Sequence, residues 1–339
     1  MMAAASASAT RDLPVRACFH PPQGALRVDL SPEEISRALA DPKGLVWVDI
    51  HADGRDEGEV ILRDIFHFHP LTIDDCYNTL IDPPKVDDYG DYLFIIVHNV
   101  MYDAELQRLS TNELNLFVGT NYVVSVHRSP VRAVEEVRRW ALQETPVLQR
   151  GPGFLAHSLI DVVVDDLHPV VEVIDDQVAA VEERVIERPE QATLQEVLRL
   201  KRNAQRLRRS ITPQRDVVNR FARGEYPRLI PPEAIMYFRD IYDHTVRVAE
   251  TIESVRDLAD GALNTYLSSV NNRINEVMKT LAIVAVVFLP LTLIASVYGT
   301  NFEDTFPSYG WGAGFAGMMV TMAVIGVGLL AFFRWRRWF

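Results

Sequence analysis

Only two of the 339 residues are cysteine, Cys18 and Cys76. Far apart and in no metal-ligand spacing, they exclude a disulfide framework and a cysteine-built zinc site, and read as buried or free thiols in a reducing compartment. A phosphate-binding Gly-x-x-x-x-Gly-Lys-Ser/Thr loop is missing, which argues against ATP hydrolysis as an energy source. So is any convincingly spaced nucleophile and base, and the chain does not read as an enzyme. Residues 1–10 are rich in Ala and Ser and lack an apolar run of signal-peptide length; residues 1–20 read as a disordered tail. Basic residues are outnumbered, 34 against 46, for a formal net charge of -12. That balance argues against nucleic acid and suits cationic partners.

The most informative absence is of charge near the C-terminus. No charged side chain lies between Lys279 and Asn301, and none from Trp311 to Phe333. Each run is long enough to cross the roughly 30 Å apolar core of a bilayer as a helix. Arg273 and Lys279 precede the first run, and Arg334, Arg336 and Arg337 follow the second. The connecting residues 301–310 carry Glu303 and Asp304 and no base. By the excess of positive charge on cytoplasmic flanks, both termini are expected in the cytosol and the loop outside. The first run also holds or adjoins Asn275, Thr280, Thr292, Ser296 and Asn301. Polar groups at membrane depth face a bundle interior or a water-filled path, which calls for an oligomer with the first span innermost. The alternative is a plain membrane anchor whose Ser and Thr bond back to their own helix.

Ahead of the spans the pattern is mixed α/β. Strands are expected at Ala25–Leu30, Gly44–Ile50 and Tyr92–Met101, and a hairpin from Leu114–Val118 and Tyr122–Val126 around Gly119-Thr120-Asn121. Ser31-Pro32-Glu33-Glu34 predicts a capped helix to about Ala40. Short helices are expected over 60–68 and 71–77, and Ser129-Pro130 is expected to open another helix to about Leu142. Gly151-Pro152-Gly153 reads as the end of a domain spanning 21–150. A helical pair over 151–230 follows. Asp161, Asp165, Glu172, Asp176, Glu183 and Glu187 form one stripe, and Arg199, Arg202, Arg206 and Arg209 another, suggesting an antiparallel hairpin laced by ion pairs. The acidic stripe is either a collector of cations or a solvated face. From Pro232, Phe238, Ile241, Thr245, Val248, Ile252, Val255, Ala259, Ala262 and Tyr266 make a coiled-coil-like seam. One helix is expected from about residue 233 through 279 and on into the first span, on the order of 100 Å long, with Gly261 its weak point.

Asn275-Glu276-Val277-Met278-Lys279, Phe288-Leu289-Pro290-Leu291-Thr292 and Tyr298-Gly299-Thr300-Asn301-Phe302 together resemble the pore helix of the CorA family of divalent-cation transporters. Tyr237 to Thr245 and Phe66 to Leu71 with Asp74-Asp75-Cys76 are similar to the family as well. The chain departs from the family's Gly-Met-Asn signature at Thr300. The resemblance implies a mixed-sheet α/β cytosolic domain, long helices and a two-helix C-terminal hairpin (280–300 and 313–333, joined by 301–312, with a basic tail 334–339) in a funnel-shaped homopentamer of the inner membrane.

It further implies a ring of Gly299, Thr300 and Asn301 as the outer filter, Asn301 supplying a neutral carbonyl to a hydrated ion. Asn275, Met278, Leu281, Leu289 and Thr292 are implied as pore-lining, the apolar members closing the path by dewetting. Glu303 and Asp304 would concentrate cations at the mouth, or merely keep the loop soluble. Asp240 is implied as one side of a divalent-ion sensor between subunits, with Asp87, Asp88 and above all Asp91 as its partner; the alternative pairs Asp240 with Arg239. The expected cargo is Mg2+, with Co2+ or Ni2+, and Mg2+ is also the regulatory ion. Thr300 keeps a Zn2+ transporter of the related ZntB type open, and a non-transporting sensor or scaffold is the rival of another class. His67-Phe68-His69 is a weak candidate for a transition metal.

Overall fold

The structure is a computed structural model that describes residues 14–52, 57–105, 107–143, 146–187, 190–300, 314–336 and 338. Two compact units emerge: residues 1–184 with 192–262, and residues 185–191 with 263–339.

The first unit is built on a seven-stranded sheet, β1 (Val15–His20), β2 (Arg27–Val28), β3 (Leu45–His51), β4 (Lys85–Asp88), β5 (Leu93–Asp103), β6 (Arg108–Val118) and β7 (Tyr122–His127). The strand order is β2-β1-β3-β7-β6-β5-β4. Among the described residues, only β3 and β7 pair in parallel. As the central pair they are covered on both faces, so Leu45–Ile50 and Val123–Val126 are buried without the alternation of a half-exposed strand. Along β5, Leu93, Ile95 and Val97 enter one apolar core and Phe94 and Ile96 the other. The second core is closed by α1 (Pro32–Leu39), α2 (Glu57–Val60) with the π-helical turn Ile61–Ile65, and α3 (Pro70–Tyr77). The first is closed by α4 (Arg132–Leu142), α5 (Pro152–Asp165), the end of α7 (Gln191–Ala222) and the start of α8 (Pro232–Tyr298).

The reciprocal cap expected at Ser31 is formed: its hydroxyl accepts the Glu34 N–H, and the Glu34 carboxylate accepts the Ser31 N–H at 3.0 Å. At the β6–β7 hairpin, a Cβ on Gly119 would collide with the Tyr122 ring. Asn121 there donates to the Leu39 and Asp41 carbonyls at 3.0 and 3.1 Å, tying the hairpin to α1.

Several expectations are corrected. The tail does not extend to residue 20, because Val15–His20 pairs with β3 over its whole length. Ala25–Leu30 contracts to the exposed two-residue β2. Residues 60–68 are not one α-helix: the chain widens into a π turn and breaks before His67, which has φ 56. The helix after Ser129-Pro130 starts at Arg132, with Val131 at its N-cap and no side-chain cap. No core ends at residue 150. Gly151 makes the turn at φ 91, but Phe154, Leu155, Leu159 and Val163 of α5 fill the same core as the sheet. The stretch 154–187 divides at Asp166 into α5 and α6 (Leu167–Glu187), where Arg132 pairs with the Asp166 carboxylate.

Lacing between the acidic and basic helices is represented by Arg184–Glu196 at 2.8 Å. In that pair the base comes from α6, and the α7 bases Lys201 and Arg208 reach Asp260 and Glu253 on α8. The seam on α8 is as expected: Phe238, Ile241, Thr245, Val248, Ile252, Val255, Ala259 and Ala262 are all buried.

The second unit contains the remainder of α8 and α9 (Gly314–Trp335), both long and apolar enough to cross a membrane. Helix α8 continues through Pro290 to Tyr298.

Candidate functional site

The end of α8 and α9 form a hairpin whose contact is readable along both helices. Ile283, Val287, Leu291, Ile294 and Tyr298 on α8 are half-buried, three or four apart, and so are Met318, Met322, Ile325 and Leu329 on α9, ahead of buried Phe333. A Cβ placed on Gly326 would stand 3.9 Å from Leu291, an ordinary contact distance that puts the two helices face to face there. At about 100° per residue, Asn275, Met278, Leu281, Leu289 and Thr292 centre roughly 180° from the face turned to α9. They are exposed: Met278 at 59%, Leu281 at 61% and Leu289 at 73%. One chain thus covers one side of α8 and leaves these five residues on the other.

The Thr292 hydroxyl donates to the Phe288 carbonyl at 2.7 Å, and Thr280 donates to Glu276 at 3.0 Å. This is the back-bonding a plain anchor would also show. It spends the proton and leaves the oxygen's lone pairs, which accept hydrogen bonds from water. The Thr292 oxygen therefore keeps accepting capacity on the face away from α9.

The helix closes through Gly299, whose N–H reaches the Ala295 and Ser296 carbonyls at 3.0 and 3.1 Å. The Thr300 hydroxyl donates to Val297 at 2.6 Å. Thr300 is thereby tied back to its own helix. Asn301, Glu303 and Asp304 lie outside the described residues. At the other end of the hairpin, the Lys279 ammonium sits 5.9 Å from the Trp338 ring centre, so the basic flanks of both helices lie together.

In the first unit, Asp240 is exposed on α8. The Arg239 guanidinium donates to the Ala222 carbonyl instead of pairing with it. The nearest titratable company of Asp240 was only partly singled out from sequence. Burial pushes the Asp161 carboxyl up to about 6, with Asp165 and Asp240 repelling its charge and His244 partly offsetting them. His244 lies 3.7 Å from Asp165. Burial drives His157, also near Asp240, down to about 4. These histidines carry no spacing signal, since their partners sit on another helix.

Of the candidates opposite Asp240, Asp87 is 3.3 Å from Lys85, Asp88 accepts the Gly90 N–H at 2.8 Å, and fully exposed Asp91 is 3.9 Å from Arg228. Among the described residues of one chain, no three His, Cys, Asp or Glu side chains stand together as a metal site. His67 and His69 are engaged locally, with the Arg63 carbonyl and the Leu71 N–H, as a helix terminus and an N-cap.

Comparison with known proteins gives a consistent result. The family described as "CorA-like Mg2+ transporter protein" matches residues 42–337. The cobalt/magnesium transport protein CorA of Thermotoga maritima is 38% identical over 293 residues, covering 86% of this chain and 83% of its own. The Bacillus subtilis protein YfjQ is 34% identical over 293 residues, covering 86% and 89%. The complete structure of the CorA magnesium transporter from Methanocaldococcus jannaschii superposes with a TM-score of 0.78 at 20% identity, covering 94% of this chain and 97% of that one.

Proposed function

The chain belongs to the CorA-like Mg2+ transporter family, and from that premise we propose that it conducts hydrated magnesium, and cobalt, through a homopentamer whose innermost wall is the open face of α8. The observation carrying this reading is the division of α8 into a face packed on α9 and an opposite face bearing Asn275, Met278, Leu281, Leu289 and Thr292. Two helices cannot enclose water, whereas five copies of α8 around an axis can.

Magnesium sheds its octahedral water shell reluctantly. A wall of neutral oxygens that accept hydrogen bonds from that shell suits it better than one that strips it. Thr292, Asn275 and, at the outer end, Asn301 are such acceptors, and Glu303 and Asp304 raise the local cation concentration. Met278, Leu281 and Leu289 offer bound water nothing, so a narrow ring of them closes by dewetting. The membrane potential supplies about 2.3 kcal/mol per charge per 100 mV, hence about 4.6 for a divalent ion. The basic flanks, gathered at one end of the hairpin, favour the cytoplasmic side of the inner membrane for both termini.

Closure is assigned to Asp240 of one subunit facing Asp91, or Asp87 and Asp88, of its neighbour. A cation between them removes their repulsion and holds the subunits together; its loss lets them separate, and α8 runs unbroken from Asp240 to the open face. Mg2+ and Zn2+ uptake into proteoliposomes tests the reading. Saturable Mg2+ entry that Asn301→Ala impairs is expected. Zn2+ entry without Mg2+ would replace it with the zinc reading, and no entry of either ion would leave a sensor or scaffold.

A further inference from the structure

The start of β6 and the middle of α7 line a cleft of about 840 Å³ that includes neither Asp240 nor any residue of the apolar runs, within the roughly 300–1,000 Å³ of small-molecule sites. Arg108 enters its wall from β6, and Arg206 and Arg209 from α7. Within a chain of net charge -12, these guanidinium groups form no ion pair among the described residues. Their neighbours on α7 do: Arg199 with Glu196, Arg208 with Glu253 and Arg220 with Glu225. Asp103, the carboxylate in the wall, is occupied by the Glu105 N–H at 2.9 Å.

The wall is polar. Ser110, Thr111 and Ser210 bring hydroxyl groups to it, and His98, 5% exposed, lines it and donates from Nε2 to the Asp82 carbonyl at 2.7 Å.

We propose that this cleft binds a phosphate-bearing small molecule, gripped by Arg108, Arg206 and Arg209. A planar guanidinium matches a phosphate oxygen pair bidentately, and arginines converging from two elements select a compact polyanion over a single carboxylate. Pyrophosphate and a nucleoside triphosphate carry more charge and more oxygens to share among three guanidinium groups than sulfate does.

The test is calorimetric titration of the full-length protein in detergent, with EDTA and 150 mM KCl, using inorganic phosphate, pyrophosphate, ATP and sulfate as separate probes. Saturable binding of at least one phosphate probe, tighter than sulfate, is expected, and the tightest identifies the source. Hydrogen bonds to charged groups are strong enough that R206Q/R209Q should weaken it by roughly tenfold or more. R108Q should act in the same direction. R202Q, which removes a charge from the same helix outside the wall, should change affinity by less than about threefold, all variants eluting and melting like the parent. No saturable heat with any phosphate probe at millimolar concentration, or equal loss in R202Q and R206Q/R209Q, overturns the proposal. Neither outcome depends on whether the protein transports an ion.

Discussion

Asp161→Asn is expected to stabilise the protein at pH 8 and to lose that advantage in acid. The Asp161 carboxyl is held near 6 by burial and by Asp165 and Asp240, against about 3.9 in an unfolded chain. Between those values the folded state binds a proton that the unfolded state releases. Its contribution is most favourable below about pH 4, and stability falls as pH rises through 6. A gap of about two units corresponds to about 3 kcal/mol at most. The side chain is only half-buried, and solvent screening reduces the figure to roughly 1–2 kcal/mol. Thermal melts of wild type and D161N with EDTA at pH 4.5, 6 and 8 measure it. The variant should melt higher at pH 8, and most of that gap should be gone at pH 4.5. Millimolar Mg2+ at pH 8 should narrow the gap if the same carboxylates lie in the field of the proposed regulatory ion. A variant less stable at pH 8, or a difference that ignores pH, would refute the reasoning.

Other consequences are quickly checked. Phe238 is fully buried and stacks on Phe221 at 4.9 Å, so Phe238→Ala should cost about 3–5 kcal/mol in chemical denaturation. A Cβ on Gly261 meets nothing within 4 Å, and Gly261→Ala should raise stability by up to about 1 kcal/mol. Asp240→Ala should leave Mg2+ influx running when internal Mg2+ is high, measured by a trapped fluorescent indicator. Leu289→Asn, placing an amide in the dewetting ring, should raise basal flux in the same assay.

Legibility in the sequence followed how local each cause was. The seam from Phe238 to Ala262 and the capping box at Ser31 are determined by neighbours three or four residues away, and their periodicity is plain. The uncharged C-terminal runs are equally plain, because a bilayer imposes length and composition together. Strand β1 was taken for tail and β4 went unread. Val15–His20 carries mixed residues at a sheet margin, and Lys85–Asp88 is an edge strand whose charges face solvent. The break at Asp166 is marked only by Pro169 in the first turn of α6, a signal that was not read, and the pairing of α7 with α8 depends on which helices meet in space. At the candidate site, the residues on the open face of α8 were reached through family likeness alone. The company of Asp161, His157 and His244 around Asp240, and the unpaired arginines of the β6–α7 cleft, arise from juxtaposition across elements.

The most direct measurement probes the α8 face itself. Single cysteines at Asn275, Leu289 and Thr292, and at Ile283, Val287 and Ile294 on the α9 side, would be introduced after replacing Cys18 and Cys76 by Ala. Each would be challenged with a charged methanethiosulfonate reagent during Mg2+ uptake in proteoliposomes. The account predicts that modification blocks uptake at the first three positions and leaves it running at the second three. Block from the α9 side, or from neither side, would contradict it.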